Sequence, residues 1–132
     1  MNVEIIAKEF IKNFNEDVCW IFVGGNRSII GKIKSLIPND QHRNCCFTFP
    51  LSDLGKKYSD TEAEIRRAAA NSMMFKLVLL ENVSAHEIEN IYQLFFYLKN
   101  LGFSGVLSTE GQNIRIKKYC NELNVSYSVL DK

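Results

Sequence analysis

Six apolar residues in a row, Val18-Cys19-Trp20-Ile21-Phe22-Val23, run directly into Gly24 and Gly25, and no other stretch of the chain limits its fold as much. A strand with one solvated face alternates apolar and polar residues. A strand without alternation needs cover on both faces, as in a parallel sheet between two layers of helices. The stretch therefore predicts a central strand. The glycines permit a sharp turn at positive φ, and Asn26-Arg27-Ser28 leads into Ile29, Ile30, Ile33 and Ile37 at helical spacing. In the plainest reading the glycines make the turn and Ser28 caps the helix. Strand, glycine turn and helix make the first half of a βαβ unit.

The remaining periodicities repeat that unit. Val3, Ile6, Ala7, Phe10, Ile11 and Phe14 recur every three or four residues and predict an amphipathic helix ahead of the central strand, ending near Asn15. Pro38-Asn39-Asp40 closes the helix that follows the glycine turn, because proline cannot continue it. A short strand is expected over Cys45 to Phe49, then an irregular stretch from Pro50 to Ser59. Asp60 opens a further helix with Ile65, Ala68, Ala69 and Met73 pointing inward, before a strand from Met74 to Leu80. Ser84 and Glu87 have the spacing of a capping box for a helix from Ala85 to Leu101, and Gly102 is its expected left-handed terminator. A strand over Val106 to Ser108, a helix over Gln112 to Leu123 with Ile116, Cys120 and Leu123 on one side, and a strand over Val125 to Leu130 complete the pattern.

Strands separated by helices imply right-handed crossovers and a layered sheet. The expected fold class is α/β: a single-domain three-layer sandwich over residues 1–132, with a mostly parallel five-stranded sheet, helices on both faces and an extra N-terminal helix. Its default strand order is the flavodoxin-like 2-1-3-4-5 of Rossmann-like sheets, with either edge strand open to an antiparallel alternative. A chain of 132 residues has room for one such domain, and its 46% hydrophobic content, with 9 Phe, fills one core.

Charge and cysteine usage narrow the partners. Lys and Arg number 16 against 15 Asp and Glu, so no strong overall field draws the chain to nucleic acid, which is not an expected partner, or to an anionic membrane. No apolar run approaches the ~20 residues that span a bilayer, and charges interrupt the first helix where a signal peptide would be apolar. A cytoplasmic location is expected. Cys19, Cys45, Cys46 and Cys120 fit it as small apolar residues, with no CxxC and with Cys45 and Cys46 adjacent, which disfavours a disulfide between them. His42 and Cys45 have a spacing that two metal ligands could use, but one pair makes no site, and no metal is expected.

In an open parallel sheet, ligands bind beyond the carboxyl ends of the strands. That rule gathers Gly24, Gly25, Asn26, Arg27 and Ser28 with Glu81, Ser108 and Thr109 as a candidate anion site, combining glycines, a helix N-terminus and a guanidinium. Two sharper motifs fail. Gly25 precedes Gly31-Lys32 by five residues where a P-loop needs four, with Ile33 in place of a metal-binding hydroxyl, and Asn26 replaces the second glycine of GxGxxG. No cofactor is expected. Catalytic residues are not expected either: there is no GxSxG, His86 lies in a helical first turn, and Glu81, the best isolated general base, reads more readily as a capping or turn residue beside Asn82.

The helix from Ala85 carries more apolar surface than one sheet face can use. At about 100° per residue, Ile91, Tyr92, Phe95 and Leu98 form an inward stripe. Leu94 and Phe96 widen it, and Tyr97 falls on the far side. Leu94, Phe96 and Tyr97, with Gln93 beside them, are either covered by a neighbouring helix or anchor a protein partner or a second copy. Two functions remain. The first, which the missing catalytic constellation favours, is a non-enzymatic protein-binding module such as a small immunity or antitoxin-type inhibitor that neutralises a toxin by occluding its active site. The second is a domain, enzymatic or not, that binds a nucleotide or phosphate ligand at the Gly24 to Ser28 loop.

Overall fold

The computed structural model of the chain describes residues 2–47, 63, 65, 67, 70, 72–80, 92, 96, 100, 103–108 and 113–129, the stretch 103–108 as backbone. Strands β1 (Val18–Val23), β2 (Cys45–Phe47), β3 (Met74–Leu79), β4 (Phe103–Ser108) and β5 (Ser126–Val129) lie in the order β2-β1-β3-β4-β5. Every pairing is parallel, the two edge strands included. Three helices have full bounds: α1 (Val3–Lys12), α2 (Arg27–Leu36) and α3 (Ile114–Glu122). Residues 63, 65 and 67, and again 92, 96 and 100, are also helical. The α/β class expected from the sequence is what the structure shows.

β1 is covered on both sides, as its unbroken apolar run requires. Cys19, Ile21 and Val23 face one core with Phe75, Leu77 and Leu79 of β3, Ile65, and Ile116 and Cys120 of α3. Trp20 and Phe22 face the other core with Val78, Leu80, the inner stripe of α1 and Ile30 and Ile33 of α2. Tyr127 packs on the first core, so Ser126 and Ser128, exposed, turn to the second face, where α1 and α2 lie. That second core is aromatic. Phe10 meets Trp20 edge-on at 5.4 Å, Phe22 stacks on Phe47 at 5.2 Å, and the Lys76 ammonium sits 5.2 Å from the Trp20 ring centre. A mid-strand lysine is tolerated there because the residue is only half-buried and its ammonium lies over the face of the ring.

Local chemistry sets the ends of the helices, and several differ from expectation. Asn2 caps α1, its side chain accepting from the Glu4 and Ile5 amides. α1 stops at Lys12, which puts Phe14 beyond the helix yet still edge-on to Phe10, and leaves Ile11 exposed. Asn39–Asn44 forms a 3-10 turn where only an open turn was expected. There the His42 Nε2 lies 3.1 Å and 2.9 Å from the carbonyl oxygens of Lys34 and Ile37. Two carbonyls can only accept, so Nε2 carries the hydrogen and closes the end of α2. Met73, expected to point inward, is 75% exposed, because its amide is already turned to the Asp17 carbonyl at the start of the β3 pairing. β4 begins at Phe103, three residues before the expected Val106. The expected strand residues Thr48 and Phe49, the loop 50–59, Ala68, Ala69 and the capping pair Ser84 and Glu87 lie outside the described residues.

α3 ends in a left-handed residue, Asn124, at φ 56°, with the Val125 amide donating to the Cys120 carbonyl at 2.7 Å. Asparagine tolerates this conformation better than any residue but glycine. Asn124→Gly is expected to leave stability within about 1 kcal/mol, whereas Asn124→Val loses ~1–2 kcal/mol, the cost of a β-branched side chain in the left-handed region. Urea denaturation of the two variants checks the contrast.

Candidate functional site

The carboxyl ends of four strands stand level. Val23 pairs with Leu79, Leu79 with Ser108, and Ser108 with Val129, so the segments leaving β1, β3, β4 and β5 start from one edge. Gly24 to Ser28 thus leave the sheet at the same edge as the backbone of Ser108. Glu81 and Thr109 lie outside the described residues.

The glycine loop itself is built tightly. Gly24 and Gly25 both have positive φ, 90° and 76°, so the chain turns here in a way that other residues resist. The Leu80 amide donates to the Val23 carbonyl at 2.8 Å, extending the β1–β3 ladder beneath the loop. A Cβ added at Gly25 would stand 3.4 Å from the Leu80 Cβ and 3.5 Å from Ile29 Cγ2. Apolar side chains thus fill the inside of the turn. The cap of α2 is Asn26, not Ser28: the Asn26 side chain accepts from the Ile29 amide at 3.0 Å, and helix begins at Arg27. Asparagine three residues before Ile29 was the signal, since an Asn side chain reaches the third helical amide as well as serine does. Asn26, Arg27 and Ser28 are all exposed, and Arg27 has no ion-pair partner among the described residues. Lys32 is likewise exposed on α2.

Buried polar atoms without a partner among the described residues are Trp20 Nε1, Gln41 Oε1 and Asn44 Oδ1. Trp20 is in the middle of β1, and Gln41 and Asn44 are in the 3-10 turn before β2, so none of them belongs to the glycine loop. Of the His42 and Cys45 pair, the imidazole is engaged with the end of α2 and the Cys45 thiol donates to the Gln41 carbonyl at 3.7 Å. Among the described residues no group of three or more His, Cys, Asp and Glu could hold a metal ion. His86 lies outside them, as do Gln93, Leu94 and Tyr97 of the expected interface.

Phe96 is described, and it is 55% exposed. Its helix is anchored one turn earlier by Tyr92, which packs on the core and meets Tyr119 of α3 edge-on at 4.9 Å. Ile114, the first residue of α3, is 80% exposed, more so than any other large apolar side chain described. The sequence reading passed over it, although Ile116, Cys120 and Leu123 already occupy the inner face of that helix and put Ile114 opposite. Two large apolar side chains thus stand outward on one helical layer. No helix among the described residues is long and apolar enough to cross a membrane.

No protein-family model matches the chain, and comparison with curated proteins and with solved structures returns no match.

None of the cysteines forms a disulfide, and all four are buried. Burial pushes the Cys19 thiol up to about 12 and that of Cys120 to about 11, and it raises Cys45 further, with Cys19 and Cys46 nearby adding to the effect. A thiol raised in the folded state from the usual 9.0 favours folding fully below that value and loses its contribution as pH climbs through the folded pKa. Stability is therefore expected to fall between about pH 9 and 12. At pH 8, Ellman's reagent should modify all four thiols only as fast as the chain opens; rapid native labelling of Cys19 or Cys120 would show that their sites are not closed.

Proposed function

We propose that this chain is a non-enzymatic protein-binding module whose partner docks on the layer formed by α3 and the helical segment carrying Phe96. Phe96 carries the reading. It stands mostly in water one turn from Tyr92, which already holds that helix to the core, so packing within the domain leaves the ring unused. An aromatic side chain in such a position supplies large apolar area and low conformational entropy to an interface. Within this class we place a small cytoplasmic immunity or antitoxin-type inhibitor that occludes a toxin's active site. The four buried thiols suit the reducing compartment that this narrower reading requires. The strand order and parallel pairings support a flavodoxin-like, Rossmann-like scaffold, which by itself carries many functions.

Phe96→Ala is expected to change monomer stability by no more than about 1 kcal/mol while weakening partner binding or self-association by ~1–3 kcal/mol. Urea denaturation and sedimentation velocity on the variant check both parts. A loss of several kcal/mol in stability would show that the ring belongs to the core, and unchanged association would remove this surface.

One observation favours a second reading, a nucleotide- or phosphate-binding domain, enzymatic or not. Two successive glycines at positive φ set an exposed Arg27, without an ion-pair partner among the described residues, at the start of α2, beside the β1–β3 crevice where the strand order reverses. Arg27→Ala should then weaken any anionic ligand found by thermal-shift screening by ~1.5–3 kcal/mol without altering the fold. If neither inorganic phosphate nor a nucleotide raises the melting temperature, the loop is only a turn.

A further inference from the structure

We infer that the partner surface is read by charge as well as by apolar contact, and that it fits an acidic protein segment with an apolar anchor; this rests on the protein-binding reading above. Ile114 is surrounded on α3 by Arg115, Lys117 and Lys118, all exposed. None of the three has a carboxylate partner among the described residues, although Glu122 stands one turn beyond Lys118. The other described acidic residues belong to different elements: Glu4 and Glu9 to α1, Glu16 and Asp17 to the turn before β1, and Asp40 to the 3-10 turn.

The first turn of α3 makes this placement costly. A helix N-terminus favours anions, and α3 instead opens with Arg115, Lys117 and Lys118 and no acidic residue. Asn113 caps the helix by accepting from the Ile116 amide at 3.0 Å, but it brings no charge, and carboxylates brought by a partner relieve the repulsion among the three cations. The Tyr92–Tyr119 contact ties the two helices together, and the chain path makes both run from the carboxyl edge of the sheet toward the amino edge. Phe96 lies one turn past Tyr92, and Ile114 a turn and a half before Tyr119. At 1.5 Å per residue the two apolar residues are about 13 Å apart along the helix axes, within the span of one protein interface. Two exposed apolar side chains, one of them set among cations, suit a protein segment better than a nucleic acid, whose phosphates would gain nothing from Ile114 and Phe96.

The test uses the full chain and the triple variant R115E/K117E/K118E. Acidic residues suit the start of a helix, so the variant should keep its circular dichroism and melting temperature. The probes are a fluorescent peptide of about a dozen residues with glutamates around a Phe-Leu pair, the same peptide with lysines in place of the glutamates, a single-stranded oligonucleotide and phosphatidylserine vesicles. The expected result is binding of the glutamate peptide by the native chain, weakening with salt, and a loss of about tenfold or more in the triple variant. The inference is overturned if the lysine peptide binds as well, if only the oligonucleotide or the vesicles bind, or if no probe binds at millimolar concentration. Phe96→Ala run beside it separates the two claims. An interaction weakened by Phe96→Ala but indifferent to the charge reversal leaves the binding module standing and removes its acidic partner, whereas indifference to both substitutions removes both.

Discussion

Burial of β1 on both faces is the constraint on which the other elements depend. None of Cys19 to Val23 is appreciably exposed, so neighbours must be supplied in the sheet on either side and in the helical layer above and below. β2 and β3 supply the edges of that enclosure, and the helices its faces. Residue size divides the labour. Trp20 and Phe22 point one way and meet Phe10 and Phe47, giving a thick aromatic layer under α1 and α2. Cys19, Ile21 and Val23 are smaller and point the other way, into a layer that takes in Phe75, Ile65, Ile116 and Cys120. Removing a large side chain from either layer would leave a cavity that close-packed neighbours cannot refill.

The two ends of the sheet are finished differently. At the amino end, polar contacts join the elements: the Asp17 carbonyl accepts from the amides of both Met73 and Met74, and Asn44 Nδ2 donates to the Glu16 carbonyl at 2.9 Å. The exposed Arg43–Glu16 pair, at 3.5 Å, adds little to them. At the carboxyl end, the glycine loop is pinned by Leu80 from below and presents Asn26, Arg27 and Ser28 outward. One end thus holds the strands in register. The other leaves side chains available to solvent, the usual division between scaffold and site in parallel sheets.

Covering β1 on the α3 side also produces the surface proposed for binding. Tyr92 and Tyr119 close the gap between two neighbouring helices, which leaves nothing for Phe96 and Ile114 to pack against within the described residues. The exposure of Ile114 follows from helical geometry, because it stands opposite Ile116, Cys120 and Leu123, whereas Phe96 flanks the stripe that Tyr92 belongs to and stays in water beyond it.

Much of this was legible in the chain itself. The unbroken run from Val18 to Val23 determined a doubly covered strand, because no other placement buries both sides of such a run, and the stripe Val3, Ile6, Ala7 and Phe10 determined that α1 lies on the domain. The glycine pair determined a turn at positive φ. Other features depend on distant residues and could only be decided by tertiary structure. Whether Asn26 or Ser28 caps α2 was a choice between neighbours of similar propensity, decided by the backbone path out of β1. His42 became the closing donor of α2 because the 3-10 turn folds it back onto carbonyls five and eight residues earlier. The outward turn of Met73 was decided by pairing with Asp17, and the exposure of Phe96 by the Tyr92–Tyr119 contact. Periodicity records which side of an element is apolar, but only the packed neighbours determine how much of that side is covered.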